Sequence, residues 1–159
     1  MRKLKIYLDT SVINFLFADD APEYKKITKT FFSEYLSEYE VYISETVILE
    51  INNTVSEKIR KKLLWVIDKY KLEVYGKVNN EIEQLALIYL KQKAIPAKKL
   101  YDAFHIAFAT YYEFDILLSW NFQHLANIKK QIQVNTINKM QGYLKQLNLL
   151  NPMEVIYEK

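Results

Sequence analysis

The chain has 159 residues, half of them hydrophobic and 26% charged, with 22 basic against 19 acidic side chains and no cysteine. That length fits a single domain whose core needs no disulfide or structural zinc, and without cysteine there is no thiol catalysis and no Cys-based metal cluster. Two glycines, Gly76 and Gly142, are too few for a glycine-rich phosphate loop, His105 and His124 lie too far apart for a His-x-x-x-His zinc pair, and a net charge of +3 is too mild to imply a nucleic-acid partner by itself.

Residues 3–9 (KLKIYLD) alternate and end on an acid, as a strand running to a sheet edge does. Thr10 or Ser11 can cap a short helix reaching Phe17, and residues 19–22 make a turn. Residues 23–39 read as an amphipathic helix with Ile27, Phe31, Phe32, Tyr35 and Leu36 inward. A short strand at 40–43 (EVYI) leads to Ser44, which caps a helix to about Thr54. Residues 57–70 form a second helix there, and 72–75 (LEVY) a strand ended by Gly76.

The alternation continues with helices at 80–93 and 98–112, then a nearly all-apolar strand at 115–119 (DILLS), the pattern of a strand covered on both faces. Residues 132–135 (IQVN) are expected to be the last sheet strand. Residues 140–147 are expected to be helical, and 154–157 (EVIY) to form an edge strand or docked tail. Strands separated by helices imply right-handed crossovers. The predicted fold is therefore one three-layer α/β/α domain, spanning 1–159, around a central, mostly parallel sheet. No apolar stretch approaches the ~20 residues of a membrane span and no signal peptide precedes the first strand, so a cytoplasmic protein with no membrane partner is expected.

In such a sheet ligands bind outside the carboxyl ends of the strands. Asp9 sits at that end of the first strand, where it can equally serve as a helix cap. Glu50 interrupts the apolar run Val47-Ile48-Leu49-Glu50-Ile51, either facing solvent or lining a cleft at the edge of the buried face, whereas Glu45 reads as a plain first-turn acid. Asp102 lies in the first turn of the 98–112 helix, where the dipole alone favours an acid. His105, on roughly the same face, reads as a packed, hydrogen-bonded residue rather than a ligand. Ser119 and Asn121 follow the buried fourth strand and project into the same crevice, or else cap a strand–loop junction.

Three carboxylates at one site repel and raise one another's pKa values unless a cation neutralises them. Mg²⁺ or Mn²⁺ suits such donors, and a cation held there lowers the pKa of a bound water and offsets charge on a phosphoryl group. The pattern thus points to phosphodiester hydrolysis. An aspartate-nucleophile phosphatase also opens with a strand ending in Asp, but it needs a second acid two residues on, and position 11 is Ser. Twenty of the 22 basic residues are Lys, so phosphate contacts would be point charges rather than guanidinium forks.

Four motifs in this order, LDTSVIN (8–14), SETVILE (44–50), DAFHIA (102–107) and SWNFQH (119–124), make the chain resemble a PIN domain along nearly its whole length. More narrowly, it resembles the toxin nucleases of VapBC-type toxin–antitoxin pairs. The resemblance implies a metal-dependent endoribonuclease acting with Mg²⁺ or Mn²⁺, in which Asp9 and Asp102 bind the ion and Glu50 binds it or orients the attacking water. Ser11 would steady Asp9, Asn14 would line the entrance and Ser119 would support the site. At Asn121 the family frequently has Asp; an amide oxygen there still coordinates a hard cation, more weakly. The resemblance also implies a small antitoxin whose tail occupies the active-site groove. Lys98 and Lys99, just before the Asp102 turn, are candidate substrate contacts, and Lys58, Arg60, Lys61 and Lys62 cluster on one helix, although solvated helix faces carry such clusters too. A homodimer is the commonest symmetric assembly, and the aromatic-rich 23–39 helix is an expected interaction surface. The alternative to an active nuclease is a PIN-like domain that binds RNA or protein with weak or no catalysis.

Overall fold

The computed structural model describes residues 2–157. Lys5–Leu8 (β1) has Ile6, Tyr7 and Leu8 fully buried, and Ile116–Leu118 (β4) is buried at each position, so both strands are covered on two faces. Burial on both faces fits only the interior of a sheet flanked by helices. The strands Glu40–Ile43 (β2), Glu73–Val74 (β3) and Asn148–Leu150 (β5) complete it in the order β3-β2-β1-β4-β5, every pairing parallel. Ile6 lies opposite Val41 on one side and Ile116 on the other, which puts the carboxyl ends of β1, β2 and β4 side by side.

The helices between the strands are Thr10–Asn14 (α1), Pro22–Thr30 (α2), Glu45–Asn52 (α3), Glu57–Lys69 (α4), Asn80–Lys91 (α5), Leu100–Tyr111 (α6) and Ile128–Met140 (α7). The 23–39 segment is helical as expected but changes pitch: α2 runs into a π turn at Phe31–Tyr35 and a 3-10 turn at Leu36–Glu38. Phe31, Phe32 and Tyr35 are buried there. Much of the packing is aromatic, with Tyr7, Phe108 and Phe114 in mutual contact beside Tyr42 and Tyr75. At the amino end of β1, Arg2 grips Asp115 with two hydrogen bonds of 2.7 and 2.9 Å, and Asp115 also accepts Lys5 N–H at 2.8 Å and pairs with Lys145 at 2.9 Å.

Two expectations for the carboxyl-terminal region are corrected. Residues 132–135 are not a strand but part of α7. Asn127 caps that helix by accepting Lys130 N–H at 2.7 Å, and Val134, Ile137 and Asn138 are buried at helical spacing. Residues 140–147 are not a helix. Gly142, at φ +90°, ends α7 as Gly142 N–H and Tyr143 N–H turn back to the carbonyls of Lys139 and Asn138. The last strand is Asn148–Leu150, too short to show alternation. Of the two forms expected for 154–157, the docked tail is observed: after a 3-10 turn at Pro152–Glu154, Tyr39 donates to Val155 O at 2.7 Å and Tyr35 accepts Tyr157 N–H at 3.1 Å. Glu158 and Lys159 lie outside the described residues.

Candidate active site

Asp9 directly follows β1 and its N–H still bonds Leu118 O at 3.2 Å, which holds the residue between the ends of β1 and β4. The residue caps α1 by accepting Val12 N–H at 3.3 Å, so of the candidate caps Asp9, Thr10 and Ser11 it is Asp9 that serves. A short loop would leave Asp9 loose; Ser11 prevents this by donating to Asp9 Oδ1 at 2.6 Å while accepting Trp120 N–H at 2.9 Å. Ser119 stands 3.4 Å from Ser11 Oγ and accepts Asn121 N–H at 2.9 Å, so the loop after β4 is tied to the loop after β1.

Glu50 reaches the same cavity from α3. Its Oε1 accepts Thr10 Oγ1 at 2.6 Å and stands 3.0 Å from His105 Nε2. His105 is fully buried and its Nδ1 is 2.5 Å from Tyr7 Oη, which is 2.7 Å from Ser44 Oγ. Burial disfavours the imidazolium, but the hydrogen bond and charge of Glu50, with Asp9 and Asp102 behind it, outweigh burial and raise the His105 pKa. In the imidazolium form both ring nitrogens are donors, so Nδ1–H would donate to Tyr7 and Tyr7 to Ser44. The same partnership outweighs burial at Glu50 and leaves its carboxyl below the ordinary value.

Asp102 comes from the first turn of α6, and its Oδ2 accepts Asn121 Nδ2 at 3.1 Å. Burial raises the pKa of Asp102, and the Glu50 charge adds to it. Burial likewise pushes the Asp9 carboxyl up to about 6, against the lowering effects of His105, Ser11 and Ser119. Asp9, Ser11, Asn14, Glu50, Asp102, Asn121, Lys98 and Lys99 all line one cavity of about 310 Å³. Ser119 stands behind it. Sequence reasoning did not assign Thr10 or Tyr101, which also line the cavity, and treated His105 as packing alone. Thr10 was expected only as a candidate helix cap. Glu45, expected to be a plain first-turn acid, ties α3 to the next segment by accepting Val78 N–H at 2.6 Å.

Asn121 departs from the expectation of an amide oxygen facing a cation. Its Oδ1 accepts His124 N–H at 3.0 Å, which turns the NH₂ group toward Asp102. Among the described residues no three His, Asp or Glu side chains are gathered closely enough to hold an ion between them. The donor set is nevertheless suited to Mg²⁺ or Mn²⁺, since such an ion keeps several waters and needs only one or two carboxylates. Two carboxyls held above their ordinary pKa by burial are the groups whose ionisation a cation would restore. Beside the cavity, and sharing Lys98, Leu100 and Tyr101 with it, runs an apolar groove of about 870 Å³ formed by Leu49, Val74 and Phe104 among others. No helix among the described residues is long and apolar enough to cross a membrane.

The PIN domain family model matches residues 6–127, which include Asp9, Glu50, Asp102 and Asn121. No curated protein matches the chain in sequence. Among solved structures, VapBC2 from Rickettsia felis bound to a DNA fragment from their promoter superimposes with a TM-score of 0.55 over 93% of this chain and 98% of that one, at 13% identity. VapBC-5 from Mycobacterium tuberculosis, a member of the VapBC family of toxin–antitoxin systems, gives a TM-score of 0.45 at 15% identity, covering 74% of this chain and 85% of that one.

Proposed function

The chain belongs to the PIN domain family, and on that premise we propose that it is a metal-dependent endoribonuclease, the toxin of a toxin–antitoxin pair. The observation that carries the reading is the pair Asp9 and Asp102, which face one cavity at the carboxyl ends of parallel strands with their pKa values raised by burial. They are the groups to hold Mg²⁺ or Mn²⁺, which when bound supplies charge neutralisation at the phosphoryl group and a more acidic water. Glu50, whose Oε1 is held by Thr10 and His105 with its carboxyl below the ordinary value, would bind the ion or orient the attacking water. Ser11 and Ser119 hold Asp9 and the Asn121 loop in place. Asn14 borders the entrance, and Lys98 and Lys99 at the rim attract the RNA phosphates.

The proposed protein partners are a small antitoxin, after the VapBC assembly of the Rickettsia felis neighbour, and a second copy of the chain. The continuity of the apolar groove with the cavity supports an antitoxin segment that covers the groove and reaches the site. A second reading, a PIN-like domain that binds RNA with weak catalysis, is favoured by Asn121, whose amide stands where a further acid would strengthen metal binding.

The deciding experiment incubates purified protein with RNA in Mg²⁺ or Mn²⁺ and in EDTA. Cleavage is expected only with metal, and Asp9→Asn or Asp102→Asn is expected to abolish it. Unchanged cleavage in both variants rejects the site. Mn²⁺ binding without cleavage favours the second reading.

A further inference from the structure

We propose that α4 carries a landing strip for single-stranded RNA, outside the cleavage cavity, in which Trp65 stacks on a base and Lys58, Lys62 and Lys69 hold neighbouring phosphates. The proposal rests on the reading that the substrate is RNA. Of the residues in α4, only Leu63 and Val66 are fully buried, whereas Trp65 is 54% exposed. The indole offers an exposed aromatic surface bordered by an ammonium group, the pairing that stacks on a base.

Positions 58, 62, 65 and 69 fall on one stripe at the 3.6-residue repeat, with the buried Leu63 and Val66 to one side of it. The stripe is about 16 Å long at the helical rise. Lys69 Nζ stands 4.8 Å from the Trp65 ring centroid and Lys62 Nζ 5.5 Å from that of Phe17. Among the described residues Lys61 pairs with Glu57 at 3.1 Å, but Lys58, Lys62 and Lys69 take part in no ion pair. α4 carries five cations against two acids, a surplus equal to the net +3 of the whole chain, so the positive charge is concentrated on this helix.

This chemistry matches RNA better than a protein partner. A flat π face bordered by separate ammonium groups suits a base between two phosphates. A protein partner would favour a continuous apolar patch, and the exposed Ile59 and Leu64 lie on opposite flanks of the stripe instead. One residue of the strip reaches toward the segment that follows Asp9: Lys62 lies over Phe17, just beyond α1.

The test measures fluorescence anisotropy of a labelled oligouridine of about twelve nucleotides, long enough for a stacking tract, with the full chain in EDTA so that binding is read without cleavage. Trp65→Ala is expected to weaken binding by about fivefold or more, with Trp65→Phe restoring most of it. Lys62→Glu with Lys69→Glu is expected to weaken it by about tenfold and to flatten the log–log salt dependence by about 1.4, at roughly 0.7 per phosphate contact. The native chain's tryptophan emission is expected to be quenched by the oligonucleotide, and the Trp65→Phe variant, which keeps only the buried Trp120, is expected to lose that quenching. No binding by the native chain, or unchanged affinity and salt slope in both Trp65→Ala and the double Lys variant, overturns the strip. Metal-dependent cleavage that still requires Asp9 would leave the nuclease reading standing in that case. Conversely, loss of binding in the strip variants of a chain that never cleaves RNA would keep the strip and reject the nuclease.

Discussion

Asn121 points its amide nitrogen at Asp102, with Nδ2 3.1 Å from Oδ2, because its oxygen is already taken by His124 N–H at 3.0 Å. The amide thus serves as a hydrogen-bond donor that steadies Asp102. Asn121→Asp would keep the His124 bond with one oxygen and set the other against Asp102. Like charges at that distance disfavour joint ionisation unless a cation intervenes. The variant is expected to unfold more easily than the native chain in EDTA, by about 1–3 kcal/mol, and to bind Mn²⁺ several-fold more tightly. Thermal unfolding and titration calorimetry measure the two effects, and no change in either contradicts the donor role.

Asp9 gives a pH signature. Burial raises its pKa from 3.8 to about 6, so the folded state prefers the neutral acid. Its contribution to stability is full below pH 4 and is lost as pH rises through about 6. In EDTA at about pH 7.5, Asp9→Asn is therefore expected to be more stable than the native chain by up to about 3 kcal/mol, with the gap closing below about pH 4. Urea unfolding of both proteins across that range is the measurement, and a gap independent of pH would contradict it.

Tyr7 links Ser44 to His105 through one hydroxyl. Tyr7→Phe keeps the ring and its contacts with Phe108 and Phe114 but leaves His105 Nδ1 without a partner in a fully buried place. A loss of about 1–3 kcal/mol is expected in denaturant unfolding. A variant as stable as the native chain would show that the chain from Ser44 to Glu50 does not operate as a unit.

At the opposite end of β1, Asp115 behaves in the reverse sense to Asp9. The Arg2 hydrogen bonds, with Lys5 N–H and Lys145, outweigh burial and hold its carboxyl well below the usual range. That stability is present above an ordinary carboxyl pKa and is lost as pH falls below about 4. Asp115→Asn is expected to destabilise the protein at neutral pH by about 1–2 kcal/mol and to flatten the acid limb of its unfolding curve, which circular dichroism at a series of pH values would follow.

The parts of the fold legible in the sequence were those with unambiguous burial. β1 and β4 are apolar because both faces are covered, and Ser44 sits at a helix start where its side chain accepts an N–H group. The carboxyl-terminal region misled because Ile132 and Val134 are β-branched and alternate with polar residues, which mimics a strand. The governing signals there were the Asn127 cap and the Gly142 stop. At the site, Asp9, Asp102 and Asn121 were candidates because each follows a strand or lies in the first turn of a helix, and Glu50 because it interrupts an apolar run; the four line one cavity. The Thr10–Glu50–His105 contacts were not legible, since they depend on how α1, α3 and α6 are set against one another across the sheet. The orientation of Asn121 had a local cue, an Asn three residues before a free N–H, the pattern of a side chain that caps its own turn.

The central place of β1 has a consequence for the order of events during synthesis. Its partner on one side is β2, about 35 residues on, but on the other it is β4, where Ile6 meets Ile116. Contacts that close so long a loop form late. A nascent chain displays Asp9, Glu50 and Asp102 before β4 exists, with nothing yet to supply the Trp120 N–H that anchors Ser11 or the amide that steadies Asp102. Even β4 gains its second neighbour only when Asn148–Leu150 pairs with it. The site is thus tied together only once β4 and the residues after it are in place, and a chain stopped before Trp120 holds these acids without the contacts that position Asp9 and Asp102.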